Sequence, residues 1–209
     1  MFKVAGELLP AVFHAASRTI ASNGYTIFAG HDDVLAMRGT GICMMAESSV
    51  QEVMDLSAVV HATAISCRVP IINFFDGFRT SHELQKIEVI DYEDLRPMLD
   101  MEAVEAFRKR GMNPDNPEAV AFCESAEVYM QHKESLNKFY DKVPETAEKY
   151  MQMIHEITGR EYHLFNYTGA PDAEYVIVAI GSGAQTIEET VKYLVDKGEK
   201  VGCINVHMF

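Results

Sequence analysis

The sequence predicts an α/β fold in which parallel strands are covered by helices. Short apolar segments at residues 25–29, 42–46 and 69–75 have the length of buried strands, and an amphipathic helical pattern lies between the last two. A second strand–helix–strand pattern spans residues 175–206. Apolar strands that alternate with amphipathic helices are typical of parallel sheets buried under helices.

The helix in the first half follows two serines that are both suitable N-cap residues, Ser48 and Ser49. Pro70 comes after the helical pattern and just before the core of the next strand. A histidine on an apolar helix face is more often hydrogen-bonded in a core than bound to a metal, and we expect this of His61. The face predicted to point inward has residues three and four apart: Val50, Val53, Met54, Ser57, Val60, His61 and Ala64.

Residues 96–170 have a different pattern, and we predict a connector with peripheral helices. Segment 111–117 combines glycine, proline and asparagine, which predicts a turn. Acidic helices are predicted at 119–129 and 144–158, the second ending before Gly159.

The last segment is predicted to be a buried strand at 175–180, a turn, a helix at 186–196 and a return strand at 200–206. We expect the two strands to pair in parallel through a right-handed crossover. A sheet of two strands is marginally stable, so we expect the start of a second α/β domain that is truncated at Phe209.

The turn in this last segment, Gly181-Ser182-Gly183, resembles the start of a dinucleotide-binding fingerprint. That fingerprint needs a third glycine three residues later, where this chain has Thr186. No acidic residue ends the following strand. We therefore predict an ordinary strand-to-helix turn.

Composition excludes several classes of protein. The formal net charge of −13 disfavours nucleic acids and anionic membranes as partners. No segment has the roughly 20 consecutive apolar residues of a transmembrane helix. The four cysteines include no C-x-x-C pair, which is typical of free thiols in a reducing cytoplasm. No pair of histidines has a metal-ligand spacing, so the sequence predicts no metal site.

Two polar segments follow predicted strands, where open α/β sheets bind ligands. In residues 31–41, Arg38 precedes Gly39-Thr40-Gly41, and its guanidinium can hold a carboxylate through two parallel hydrogen bonds. The alternative is a surface ion pair between Arg38 and Asp32 or Asp33. In residues 76–83, six polar or charged side chains surround one glycine and one phenylalanine. This loop is predicted either to bind a small anion, to form an interdomain contact or to be a solvated loop.

The chain resembles the pyruvate:ferredoxin (flavodoxin) oxidoreductase family over its whole length. The most specific segment is DGFRTSHELQKIEV at residues 76–89. The other matching segments, in order and spacing, are AGELLP at 5–10, SVQEVMD at 49–55, Gly159-Arg160 with Leu164-Phe165, GAPDAE at 169–174 and GEKVG at 198–202.

The resemblance implies a thiamine-diphosphate enzyme that decarboxylates pyruvate oxidatively, forms acetyl-coenzyme A and passes electrons to ferredoxin or flavodoxin. It implies that residues 1–95 are part of the pyrimidine-binding domain and that 171–209 begin a domain like the C-terminal domain of transketolase. Arg38 aligns with the arginine that holds the substrate carboxylate, in a motif usually read Arg-Gln-Thr-Gly. Here Gly39 replaces the glutamine.

The resemblance also implies that the chain is an internal fragment and that much of the active site lies elsewhere. The glutamate that activates the thiamine ring is expected upstream, and the diphosphate, magnesium and iron–sulfur sites are expected downstream. It therefore assigns no catalytic residue and no cofactor to this chain alone, and the complete enzyme is expected to be a cytoplasmic homodimer. The alternatives are a non-catalytic fragment or assembly module, or a subunit of another 2-oxo acid oxidoreductase.

Overall fold

A computed structural model of the chain describes residues 1–28, 30–117 and 123–209. Within these ranges the strands form two three-stranded sheets, with orders β1-β3-β2 and β4-β6-β5. The strands are β1 (Val12–Ser17), β2 (Cys43–Glu47), β3 (Ile71–Asp76), β4 (Phe165–Gly169), β5 (Tyr175–Ala179) and β6 (Val201–Val206). The α-helices are α1 (Phe2–Gly6), α2 (Asp32–Leu35), α3 (Val50–Cys67), α4 (Tyr92–Leu95), α5 (Met101–Arg110), α6 (Ala126–Ser135), α7 (Asn137–Tyr140), α8 (Val143–Thr158) and α9 (Gly183–Asp196).

The first sheet is parallel throughout, as the sequence predicts. Its central strand, β3, pairs with both neighbours through Ile71, which faces Val12 on one side and Cys43 on the other. The predicted strands at 42–46 and 69–75 are confirmed as β2 and β3. β3 is central because its apolar side chains are buried on both faces of the sheet.

The strand predicted at 25–29 is wrong for the described residues 25–28, and residue 29 lies outside the described part of the chain. Hydroxyl groups hold this segment in bends: the Thr26 amide donates to Thr19 Oγ1, and the Phe28 amide donates to Thr26 Oγ1. Such local bonds compete with strand pairing. The third strand of the sheet is instead β1, an edge strand whose apolar pattern His14 interrupts.

Helix α3 begins at a capped N-terminus and covers one face of this sheet. Ser49 Oγ accepts a hydrogen bond from the Glu52 amide at 3.1 Å, which confirms the predicted cap. The predicted inward face is only partly right, since Val60 and Ala64 are buried but His61 is exposed. Because the helix packs against both the sheet and α8, its buried face is broader than the predicted face and is turned about the helix axis relative to it. The buried residues of the helix are Asp55, Leu56, Val59, Val60, Ala62, Thr63, Ala64 and Cys67.

The predicted connector contains the helix that completes this core. The helix predicted at 144–158 is confirmed as α8, and its buried residues pack on α3. The helix predicted at 119–129 is placed differently, since α6 begins at Ala126 and residues 118–122 lie outside the described ranges. The predicted turn is confirmed by reciprocal backbone hydrogen bonds between Asn113 and Asn116.

The second sheet contains the predicted parallel pair, because β5 and β6 pair in parallel and α9 connects them. The sequence did not predict β4, which runs antiparallel to β6 and lies inside the range assigned to the connector. The prediction that 175–180 is buried is wrong. β5 is an edge strand among the described residues, and Tyr175 and Val178 are 73% and 66% exposed.

The two sheets meet at the free edge of β2. Residues 207–209 run antiparallel to it, with the Ala46 amide donating to the His207 carbonyl at 2.6 Å and the Met44 amide donating to the Phe209 carbonyl at 3.1 Å.

In the described part of the chain, every helix is too short or too polar to span a bilayer.

Candidate functional site

Asp76, at the carboxyl end of β3, joins the first sheet to the turn before α9. Its carboxylate accepts a hydrogen bond from the Ser182 amide at 2.8 Å and a second from the Ser182 hydroxyl. The other carboxylate oxygen contacts His31 Nε2. Burial acts to raise the pKa of Asp76, but the bonds from His31 and Ser182 outweigh it and hold the pKa below its usual value.

Gly181 makes this junction possible. Its φ of +74° favours glycine, and a Cβ there would lie 2.9 Å from Asp76 Oδ1 and 3.0 Å from His31 Cε1. The turn at 181–183, which connects β5 to α9, therefore docks against the first sheet. Asp76, the first residue of loop 76–83, therefore contacts the turn that precedes α9.

The rest of this loop is shaped by its own side chains. Phe78 has a φ of +65°, and its amide donates to Ser81 Oγ at 2.8 Å. The Phe78 ring stacks on His82 with centroids 5.3 Å apart, and the guanidinium of Arg18 fills the space beside Gly77. Thr80 is buried, and its hydroxyl has no hydrogen-bond partner among the described residues.

Arg38 is exposed on a short 3₁₀ turn, Arg38–Thr40, that precedes β2. Its Nη1 donates to the Leu35 carbonyl at 3.4 Å, a long hydrogen bond. The surface ion pair considered as the alternative is not observed among the described residues. Asp33 instead accepts from the amides of Arg18 and Val34, at 2.9 and 2.7 Å.

The structure brings the start of the first polar segment, at His31, against the second segment, at Asp76, but leaves Arg38 outside this contact. His31 and Asp33 lie at the carboxyl end of the first sheet, against Asp76 and the end of β1. Arg38 lies before the first residue of β2, on the approach to the amino end of that strand. The expected arrangement failed because it required a strand at 25–29, which is absent from the described residues.

A buried ion pair ties together three of the segments that resemble the family. Arg160 donates to both oxygens of Asp55, from Nε at 2.6 Å and from Nη2 at 3.1 Å, and its Nη1 donates to Glu88 at 2.6 Å. The Tyr162 hydroxyl donates to Asp55 at 2.8 Å. Burial raises the pKa of Tyr162, and its hydrogen bond to Asp55 raises it further. This cluster, defined as the Asp55 clamp, holds α3, the segment around Glu88 and the end of α8 together.

Beneath α3, a row of polar side chains crosses the first sheet, and no sequence pattern predicts it. Glu47 is fully buried and has no hydrogen-bond partner among the described residues, and burial raises its pKa well above the usual value. Asn73 lies on the next strand and donates through Nδ2 to His14 Nδ1 at 3.1 Å. His14 in turn contacts His61 on α3, although 47 residues separate the two in sequence.

Comparisons with known proteins agree with the family resemblance that the sequence motifs indicate. The family model described as "Pyruvate flavodoxin/ferredoxin oxidoreductase, thiamine diP-bdg" matches residues 1–152. The whole chain is 57% identical to a pyruvate-flavodoxin oxidoreductase of Enterobacter agglomerans and 51% identical to a pyruvate:ferredoxin oxidoreductase of Moorella thermoacetica. It spans 18% of the length of each of these relatives.

A solved structure shares the fold at low sequence identity. It is a 2-oxoglutarate:ferredoxin oxidoreductase from Magnetococcus marinus, determined with 2-oxoglutarate, coenzyme A and succinyl-CoA bound. The TM-score is 0.56 and the sequence identity is 14%, over all of this chain and 39% of that one. This likeness supports the α/β architecture.

Proposed function

Because the chain belongs to the pyruvate flavodoxin/ferredoxin oxidoreductase, thiamine-diphosphate-binding family, we propose that it is part of a pyruvate:ferredoxin (flavodoxin) oxidoreductase. The proposed reaction decarboxylates pyruvate oxidatively, forms acetyl-coenzyme A and passes the electrons to ferredoxin or flavodoxin. The observation that carries the proposal is the 57% identity over all 209 residues to a pyruvate-flavodoxin oxidoreductase. The remainder of the enzyme is then the main partner of this chain.

The role that we propose for this chain in the reaction is to bind the substrate carboxylate through Arg38. A guanidinium matches a carboxylate with two parallel hydrogen bonds, and Arg38 makes only one long hydrogen bond within the described part of the chain. Its exposure leaves the side chain accessible to a ligand or to a neighbouring domain. No catalytic role is proposed for any residue of the chain.

Metal-dependent cofactors do not fit the described residues. Among them, no three histidine, cysteine, aspartate or glutamate side chains come together as metal ligands. Cys43, Cys67, Cys123 and Cys203 are all free. We therefore place magnesium, the diphosphate group of thiamine diphosphate and the iron–sulfur clusters on the remainder of the enzyme.

We also propose a division of the chain within that enzyme. Residues 1–95 form part of the pyrimidine-binding domain, 96–170 a connector, and 171–209 the start of a second α/β domain like the C-terminal domain of transketolase. The family model matches residues 1–152, which include all of the first range and most of the connector. The free thiols support a cytoplasmic enzyme, and the net charge of −13 supports one without nucleic-acid or membrane partners. That the complete enzyme is a homodimer is proposed from the family resemblance alone.

Substrate preference tests this proposal. We expect an enzyme that contains these 209 residues to reduce ferredoxin or flavodoxin in a reaction that depends on coenzyme A and pyruvate. We expect kcat/KM for pyruvate to exceed that for 2-oxoglutarate by about 100-fold or more, because an extra charged group must be rejected by the site. Equal or greater kcat/KM with 2-oxoglutarate would assign the chain to an oxidoreductase for another 2-oxo acid.

A further inference from the structure

His207 lies where the two sheets meet and contacts both of them. It belongs to the segment 207–209 that pairs with β2, its side chain is buried, and its carbonyl accepts a hydrogen bond from the Ala46 amide. The imidazole faces the N-terminus of α3, the end of β6 and the segment before β4. The ring therefore bridges the first sheet and the second.

One nitrogen of this ring keeps its proton in both charge states. Nδ1 lies 2.9 Å from the His163 carbonyl oxygen, which can only accept a hydrogen bond, so Nδ1 is the donor. When the ring is neutral, the other nitrogen, Nε2, carries no proton and is an acceptor. When the ring is protonated, Nε2 becomes a second donor. Nε2 is therefore the nitrogen that titrates.

Nε2 of His207 lies between two alternative partners at almost equal distances. Asn205 Nδ2, a donor, is 3.4 Å away, and Glu52 Oε2, an acceptor, is 3.5 Å away. Both distances exceed that of an ordinary hydrogen bond, so a small movement of the ring completes one bond and gives up the other. Neutral Nε2 suits Asn205, and protonated Nε2 suits Glu52.

Glu52 is held in place at the N-terminus of α3. Its Oε2 accepts a hydrogen bond from the Ser48 amide at 2.5 Å, and its own amide donates to Ser49 Oγ. The acceptor that protonated His207 needs is therefore already positioned. A bond from His207 to Glu52 joins the C-terminal segment to α3, whereas a bond to Asn205 stays within the second sheet and its continuation.

Other titratable groups also face this junction. Glu188 of α9 acts on His207 from the side of the second sheet, and the buried Glu47 at the end of β2 acts on Glu52. The Tyr162 ring meets the imidazole edge-on, with centroids 6.2 Å apart. Both carboxyl groups add negative potential around the ring, which favours its charged form.

The balance of these groups favours the protonated ring. Burial acts to lower the pKa of His207, but Glu52, the His163 carbonyl and Glu188 outweigh it, so the pKa lies above its ordinary value. The stability that protonated His207 adds is complete below the ordinary pKa of histidine, and it is lost as the pH rises through the raised pKa.

We propose that His207 is a pH-sensitive link between the two sheets. Protonated, it donates to Glu52 and fastens the C-terminal segment to α3. Neutral, it accepts from Asn205, and the link to α3 is lost. The link is independent of the proposed oxidoreductase activity. No sequence pattern predicts it, because Glu52 and His207 lie in different halves of the chain.

Nitrogen-15 NMR of the 209-residue chain tests the link, because it follows each imidazole nitrogen separately. As the pH rises, Nε2 of His207 should lose its proton while Nδ1 keeps its own. Glu52→Gln, which preserves the helix cap, should lower the midpoint by about 1 pH unit or more, the smaller effect of an adjacent opposite charge. Glu93→Gln is the matched control and should leave the midpoint unchanged, because Glu93 pairs with the exposed Arg96.

Hydrogen exchange measures the consequence for the junction. After correction for the intrinsic pH dependence of exchange, the protection of the Ala46 amide should fall by about tenfold or more as the pH rises through the midpoint. This fall should be absent in Glu52→Gln. An unchanged midpoint in Glu52→Gln, titration of Nδ1 in place of Nε2, or equal protection of Ala46 on both sides of the midpoint would overturn the proposal.

Discussion

A protein that consists of residues 1–209 alone is expected to show no pyruvate-dependent reduction of ferredoxin, flavodoxin or a redox dye. The proposed reaction needs a bound thiamine cofactor and an electron acceptor, and the protein's part is to bind and orient them. The described residues offer an exposed arginine for the substrate carboxylate, but no three metal ligands come together among them. Positioning the substrate without the cofactor gives no turnover.

Two assays measure this expectation. Calorimetry with thiamine diphosphate and magnesium should show no tight binding, and the dye assay with pyruvate and coenzyme A should match the blank without protein. A complete enzyme of the family, assayed in the same buffer, is the positive control. Micromolar binding of the cofactor or turnover by the chain alone would show that a complete site lies within these residues.

Loss of the Asp55 clamp is expected to destabilise the fold by about 3–5 kcal/mol. In Arg160→Met, Asp55 keeps its fully buried carboxylate but loses the bidentate partner that neutralises it. Unfolding by urea should show the change in free energy, and a thermal scan should show a fall in Tm of about 6–20 °C. Arg160→Lys should lie between Arg160→Met and the parent, because lysine keeps the charge without the planar fork.

An exposed ion pair provides the control for this measurement. Arg96 contacts Glu93 at 3.1 Å, and both side chains are more than 70% exposed. Arg96→Met should change the free energy of unfolding by about 1 kcal/mol or less, because water screens the pair. If Arg160→Met is as mild as Arg96→Met, the clamp has no special stabilising role.

Local signals account for the elements that the sequence predicts well. Ser49 caps α3 through the Glu52 amide, and Gly159 ends α8 with a φ of +75°, both within a few residues of the helix that they delimit. The failures concern pairing over long distances. β1 and β4 are edge strands with mixed exposure, so only their partners β3 and β6, far away in sequence, make them strands.

For the candidate site too, contacts between residues far apart in the sequence were not predicted. Arg38 was singled out by its polar segment and its guanidinium, and the resemblance then gave it the substrate carboxylate. Its expected place after a strand was wrong because residues 25–28 form no strand. The contact of Asp76 with Ser182, the Asp55 clamp and the His14–His61 pair each join residues more than 40 positions apart. The type of a residue does not show which distant residue it contacts in the fold.

The role of Arg38 is the central claim, and the pyruvate KM of a complete enzyme that contains this chain tests it most directly. Arg38→Ala should raise KM by about 30-fold or more, which corresponds to loss of a bidentate carboxylate contact of about 2–5 kcal/mol. Arg96→Ala should leave KM unchanged, since Arg96 lies on a separate exposed surface turn. An unchanged pyruvate KM in a folded Arg38→Ala enzyme would contradict the account and leave Arg38 as an ordinary surface residue.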